Sequence, residues 1–430
     1  MVFRSDDDYD DEEEELELVM FQGALNGKNA NLAANARLAS AGLMPAKELI
    51  SDALARRAEQ IRVEPKGERS IITFVVDGIS YAGGRIPKSR AQAITQILKL
   101  LSGLDVKQRS KPQSGGIKAE FEEKKFELRV ESKPIAPGAE RLTISATDLS
   151  INLHTPADIG MPENLRDKIR DVTGEKEGLL IICGPPFSGT TTTIYATLKC
   201  VDSFIYTIFT VVDPGSRDIH NITKFDVQPE DDLETTIDRI ARVEADVIFL
   251  NPIRNEDAAK AVISKCTKVA LIAEMRAKET AVVVAQIAKW VGDPDAVAAG
   301  LKGVVTQKLI RKLCPKCREA YRPNPRLLAR IGLPKDVKVL YRKPKLEFED
   351  DEPLDCRVCG GIGYIGRVAM FEYLEMTEDM QAVVSQKPDP ASIRAQVRRE
   401  KMLTLQKDGI RLVADGTTSL EELQRIFKSS

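Results

Sequence analysis

The sequence predicts a mixed α/β protein whose larger part is a parallel, doubly wound sheet. Three observations predict it. The apolar runs "EGLLIICG", "IYTIFTVVD" and "ADVIFLNP", with "KVALIAEM" as a fourth candidate, alternate with helical patterns, as buried parallel strands do. Ahead of them, "SIITFVVDGISYAGG" alternates apolar and polar residues and breaks at Asp77-Gly78, a hairpin signal. Behind them, two C-x-x-C pairs mark a separate small element.

Residues 5–17, "SDDDYDDEEEELE", cannot bury enough apolar surface to fold and read as a solvated tail, either solubilising or a dock for a basic partner. The small-residue stretch after it is only weakly helical, so the tail is expected to run over 1–43. "PAKELISDALARRAEQIRVEP" is helical and then extended, and "AQAITQILKLLSGL" is an amphipathic helix closed by Gly103. "KAEFEEKKFELRVESKP" and "ERLTISATDL" supply three more strands. An α/β N-terminal domain is therefore expected over 44–152. "MPENLRDKIRDV" is a helix stopped at Gly174 and opens the parallel-sheet domain, expected over 153–311. The cysteine element is expected over 312–373 and a helical C-terminal part over 374–430.

The bulk properties exclude several classes. Net charge is −2 over 430 residues, which gives no general basis for binding nucleic acid. No apolar run approaches the roughly 18 residues of a membrane span. The acidic start is the opposite of a secretory signal, so the chain is expected in the cytosol. Seven cysteines in so long a chain do not make a disulfide scaffold.

"GPPFSGTTTT" runs from Gly184 to Thr193, between an apolar run and the helical "IYATLK". Strand, glycine-bearing loop and helix is the layout of the phosphate loop G-x-x-x-x-G-K-[ST]. Gly184 and Gly189 hold the glycine places, Thr191 holds the hydroxyl place, and Thr190 stands where the pattern has lysine. The candidate nucleotide residues are Gly184, Pro185, Ser188, Gly189, Thr190, Thr191 and Thr192. Thr191 and Thr192 read equally well as helix N-terminal residues that satisfy backbone donors.

Cys314 and Cys317, with Cys356 and Cys359, form C-x2-C…C-x2-C. Two such knuckles bring four thiolates to one Zn2+ at about 2.3 Å, with no open position, which makes the site structural. A redox disulfide is the alternative. Cys183, Cys200 and Cys266 lie in apolar surroundings and read as inert core thiols.

With these features in this order, residues 46–430 resemble the type II secretion and type IV pilus assembly ATPases. The resemblance is carried by "AEQIRVEP" with "FVVDG", "LLSGLDVKQRSKPQSGGI", "DVIFLNPIRN", "GLKGVVTQKLIRKLCPKC", "GYIGRVAMFEYLEM" and "MLTLQKDGIRLVADGTTSLEEL". It implies an α/β N-terminal domain, a RecA-like P-loop NTPase domain, a tetracysteine zinc element and a helical C-terminal part. It further implies ATP with Mg2+ as ligand and a hexameric ring of the chain or of the chain with an active paralogue. The ring would dock on platform proteins at the cytoplasmic side of the inner membrane, without nucleic acid.

The departures from that family cluster at the chemistry. Thr190 replaces the phosphate-binding lysine and Phe187 a loop glycine. Asn251-Pro252 stands for Gly-Glu, whose glutamate positions the attacking water. In "TVVDPGS", Asp213 and Pro214 remain, but Val212 and Ser216 hold acidic places. Lys268 and Met275 align with the family's histidines, and Val75 and Gly116 with two arginines that contact a neighbour's nucleotide. Arg254, Arg109 and Arg129 survive, with Arg254 and Asp213 as further nucleotide candidates; an ion-pair role suits the arginines equally. No catalytic residue is assigned. Three functions follow: a scaffold or regulatory pseudo-ATPase, a slow ATPase using Glu274, Arg276 or Lys278 of "EMRAKE", and a nucleotide sensor without turnover.

Overall fold

The computed structural model describes residues 17–151, 155–212, 221–324, 328, 331–333, 337–344 and 356–428. The chain divides into two compact units, 1–152 and 153–430. In the first, seven antiparallel strands lie in the order β1 (Met20–Ala24), β5 (Gln113–Phe121), β6 (Lys124–Ala136), β7 (Ala139–Asp148), β2 (Gln60–Lys66), β3 (Arg69–Val76), β4 (Ile79–Pro87). The β3–β4 hairpin turns on Asp77 and Gly78, at φ 49° and 80°, because two left-handed residues match the twist of the flanking strands. Helices α1 (Ala36–Ala55) and α2 (Lys88–Leu101) bury Ile50, Leu54, Ile94, Ile97 and Leu98. The fully buried Lys99 donates to Glu140 Oε1 at 2.8 Å and to the Gln108 carbonyl, and Ser132 donates to the same carboxylate.

The ordered structure starts before the expected boundary at residue 44. Met20–Ala24 pairs with β5, and α1 begins at Ala36. The alanines at 33, 34, 36 and 39 are good helix formers, and the short strand caps a sheet edge; neither shows a strong apolar period. Nearly all of the acidic run lies outside the described residues.

The second unit is a seven-stranded sheet in the order β10 (Ile222–Lys224), β9 (Ile208–Thr210), β11 (Val247–Phe249), β12 (Ala270–Arg276), β8 (Leu179–Gly184), β13 (Leu301–Leu313), β16 (Tyr364–Glu375). All pairs are parallel except the last, where β16 returns antiparallel to β13. Strand residues alternate between two cores. Ile181, Ile248, Leu271 and Val304 pack with α5 (Leu233–Ala241), α6 (Glu256–Lys265), α7 (Thr280–Val291) and α8 (Pro294–Gly300). Leu180, Ile182, Ile272 and Val305 pack with α3 (Glu163–Gly174) and α4 (Thr190–Leu198). Asp232, Asn255 and Asp293 accept backbone N–H groups as N-caps of α5, α6 and α8.

The strand β16 belongs to this main sheet, although its sequence falls in the stretch expected as the cysteine element. Its apolar face, Ala369, Phe371 and Tyr373, completes the α3–α4 core. Between the cysteine pairs, β14 (Glu319–Tyr321) and β15 (Leu340–Arg342) form a two-stranded ribbon. The C-terminal part is helical: α9 (Glu378–Gln386), α10 (Pro390–Arg399), α11 (Leu405–Ala414) and α12 (Leu420–Lys428). Helix α12 is anchored by Glu422, whose buried carboxylate accepts from Arg311 on β13 at 2.7 Å and from Arg425 at 2.6 Å. No helix among the described residues is long and apolar enough to cross a membrane.

Burial would raise the Glu422 carboxyl, but hydrogen bonds from Arg425 and Arg311 outweigh it and hold the group at about 2. Breaking a buried pair from one side costs about 3–5 kcal/mol, so Glu422→Gln is expected to destabilise this unit by that order in a urea titration. The carboxyl is depressed in the fold, so its contribution is complete above the unfolded value of about 4.3. It should vanish in the wild type as pH falls towards about 2, while the Gln variant lacks it throughout.

Candidate nucleotide and metal sites

The strand β8 is buried over its whole length and delivers Gly184 to the carboxyl edge of the sheet, where open α/β sheets bind ligands. The chain then turns over 185–188, with the Ser188 N–H donating to the Pro185 carbonyl at 3.2 Å. Phe187 adopts φ 64° and Gly189 φ 82°, with Ser188 between them outside that region. Such alternation aims successive backbone N–H groups into one concavity. A left-handed conformation costs an aromatic residue about 1–2 kcal/mol, and the Phe187 ring repays none of it by burial, being 79% exposed. A Cβ on Gly184 would lie 2.2 Å from Ser188 Oγ, so glycine is required where the loop folds back on its strand.

All seven candidate nucleotide residues therefore lie in one strand–loop–helix turn. Thr190 is the first residue of α4 and is buried, with its hydroxyl 3.5 Å from Ser188 Oγ; Thr191 is exposed and Thr192 half-buried. The N-cap of α4 is Gly189, and Thr191 and Thr192 are the second and third residues of the helix. The loop is held from the neighbouring strand by Gln307, whose Nε2 donates to the Ser188 carbonyl at 2.7 Å. Gln307 is buried, and among the described residues its Oε1 has no partner. Sequence reasoning missed this residue. The available signal was a glutamine between apolar residues of "GVVTQKLI", since an amide inside a central strand must find a partner.

On the other side of β8, β12 sets Arg276 in register with Gly184 and Glu274 with Ile182. The chain leaving β11 runs along the same strand, with the Ile253 N–H donating to the Glu274 carbonyl at 2.8 Å. Pro252 is half-buried, and Asn251 and Arg254 are exposed. Burial raises the Glu274 carboxyl, opposed by the charges of Arg276 and Arg254. Asp213 lies outside the described residues. In the first unit, Arg109 reaches Glu140 at 3.9 Å, an ion pair, and Arg129 is exposed on β6.

The four cysteines come together. Their sulfur atoms all lie within 4.8 Å of one another, with Cys314–Cys356 at 3.8 Å and Cys317–Cys359 at 3.7 Å. Tetrahedral bonds of about 2.3 Å put ligand sulfurs about 3.8 Å apart, so the donor set fits Zn2+. Gly360, Gly361 and Gly363 have positive φ, and the Gly363 N–H donates to Cys359 Sγ at 3.3 Å. Backbone N–H groups of Cys359 and Val358 lower the Cys356 thiol to about 7, favouring the thiolate that a metal needs. Cys183, Cys200 and Cys266 are different: burial pushes them up to about 12, 11 and 11, as inert core thiols. Metal analysis of the purified chain is expected to give one zinc per molecule. Cys356→Ser should lose it and unfold the second unit at lower denaturant while leaving the first unit unchanged, as read by protection from hydrogen exchange.

Comparison with known proteins agrees with this geometry. The family model for "Type II/IV secretion system protein" matches residues 41–425. The type IV pilus assembly ATPase PilB of Thermus thermophilus is 26% identical over 384 residues, 88% of this chain and 42% of that protein. Type II secretion system protein E of Xanthomonas campestris pv. campestris is 25% identical over 388 residues, 89% of this chain and 66% of the relative. The chain thus spans less than two thirds of either relative. Among solved structures, the Legionella pneumophila ATPase DotB superposes with a TM-score of 0.56 at 14% identity, over 89% of this chain and 95% of its own. The pilus retraction motor PilT with bound ADP gives 0.51 at 14% identity, over 88% and 95%. These two likenesses establish the fold, and the match over 41–425 establishes the lineage: the chain belongs to the type II/IV secretion system protein family.

Proposed function

We propose that this chain is a catalytically impaired member of its family, a pseudo-ATPase that serves as a scaffold or regulatory subunit of a secretion or pilus machine. The observation that carries the reading is the neutral, buried Thr190 at the head of α4, in the place of the phosphate-binding lysine. A charge-assisted contact of that kind contributes about 1.5–3 kcal/mol. Pro252 compounds the loss, because it has no carboxylate to orient water, and general-base catalysis typically contributes about 10²–10⁴-fold. Hydrolysis rests on positioned charge, and two of the charges are missing.

The parts outside the chemistry support an assembly role. The doubly wound sheet, the tetracysteine cluster, whose geometry suits Zn2+, and the C-terminal helices are all present. The resemblance to the secretion and pilus assembly ATPases implies a ring, formed with itself or with an active paralogue, on the cytoplasmic face of the inner membrane. A second reading, slow hydrolysis, is favoured by Glu274, a half-buried carboxyl raised by desolvation on the strand beside the loop.

Phosphate release with Mg2+ tests the choice. Wild type and Thr190→Lys are expected to stay near background, and adding Pro252→Glu should restore at most a small fraction of motor activity because Phe187 still shapes the loop. Turnover by the wild type that survives repurification and is abolished by Gly189→Ala would establish the slow ATPase instead. Sedimentation should show an oligomer, of the chain alone or with a paralogue; a monomer at high concentration with no co-purifying paralogue would remove the scaffold reading.

A further inference from the structure

We propose that Arg276 supplies the phosphate-binding cation that position 190 lacks, so that the loop still takes a nucleoside di- or triphosphate. The inference rests on reading Gly184–Gly189 as a phosphate loop, and it is independent of whether the bound nucleotide is turned over.

Register comes first. Arg276 is the last residue of β12 and pairs with Gly184, the last residue of β8 and the first of the loop. Neighbouring strands lie about 4.8 Å apart, well within the reach of an arginine side chain. Sidedness follows from the alternation of the strand. Ile272 shares a core with Ile182 and with Ile194 of α4, so Glu274 and Arg276, two and four residues on, are on the face of the sheet that α4 covers. The head of α4 and Arg276 are therefore at the same edge and on the same face.

Arg276 is also available. It is exposed, and among the described residues it makes no hydrogen bond or ion pair. Its neighbours give the edge a positive balance: Arg254 and Lys278 are exposed, while Glu279 is engaged by Arg394. Glu274 feels the charges of both Arg276 and Arg254, so the three groups share this edge.

Two features hold the loop in its concave shape. Phe187 is held at φ 64° although its ring gains nothing from burial, and strain of this kind persists where the surroundings impose it. Gln307, 1% exposed, fixes the Ser188 carbonyl from β13. The loop is thus braced in a concave conformation from one flanking strand, and the other flanking strand brings the cation.

Calorimetric titration of the full chain with ATP and with ADP, each with Mg2+, tests the proposal. The wild type should bind both. Arg276→Ala should weaken binding roughly 10- to 100-fold, the scale of one charge-assisted contact. Arg276→Lys should recover part of the loss, and Thr190→Lys placed in the Arg276→Ala chain should recover most of it, because either position can present a cation to the same phosphates. Arg254→Ala should change affinity by less than Arg276→Ala. Matching melting curves confirm that each variant is folded, and Arg276→Gln replaces the alanine variant if it is not. Wild-type affinity in Arg276→Ala, a larger loss in Arg254→Ala, or no heat from either nucleotide with the wild type would overturn the assignment. Phosphate release, measured in the same samples, reports separately on the impaired-ATPase reading.

Discussion

The amide of Gln307 reaches the Ser188 carbonyl from a strand that has several other partners to satisfy. Over Leu301–Leu313, β13 pairs in parallel with β8 and antiparallel with β16. Thr306 hydroxyl contacts Cys183 at 2.6 Å, Arg311 engages Glu422, and Cys314 follows at the strand's end. The 184–189 loop, the C-terminal helix and the cysteine cluster are thereby tied to one element. A shift of β13 by one residue would reverse the direction of every side chain and break all of these contacts together. That constraint explains how the loop keeps a strained conformation after losing the lysine that its pattern would use.

Two of the altered residues, Thr190 and Pro252, fall at the head of α4 and past the end of β11, outside the sheet ladder. Thr190 fits a buried position that a lysine could occupy only with an anion or carboxylate to answer it. Pro252 lies past β11, so its missing N–H takes nothing from the sheet ladder. The sheet ladder therefore accommodates both substitutions, and on the proposed reading a cation on the adjacent strand would hold a ligand without restoring a carboxylate for water.

Much of this was readable from residue patterns. Four of the parallel strands, β8, β9, β11 and β12, announced themselves as continuous apolar runs, and the β3–β4 turn by Asp77-Gly78, whereas β10 and β13 were not read as strands. The cysteine spacing brought four sulfurs together as expected. Other parts were not readable because their signal is non-local. The strand β1 is five residues long and is recognised only through its pairing with β5. The strand β16 follows the second cysteine pair in sequence, yet it belongs to a sheet whose other strands lie far upstream. Gln307 and Arg276 matter because they flank Gly184 in space, and register across strands does not appear in a single sequence.

The antiparallel return of β16 also has a bearing on biosynthesis. Residues 301–313 are made well before their partner at 364–375. At roughly 5–20 residues per second, the ribosome leaves that edge of the sheet open for about 3–10 seconds. An apolar strand with unpaired N–H and C=O groups is then a template for pairing with another nascent chain. The intervening segment, which carries the paired ribbon β14–β15, is what the ribosome delivers during that interval, before the edge can close.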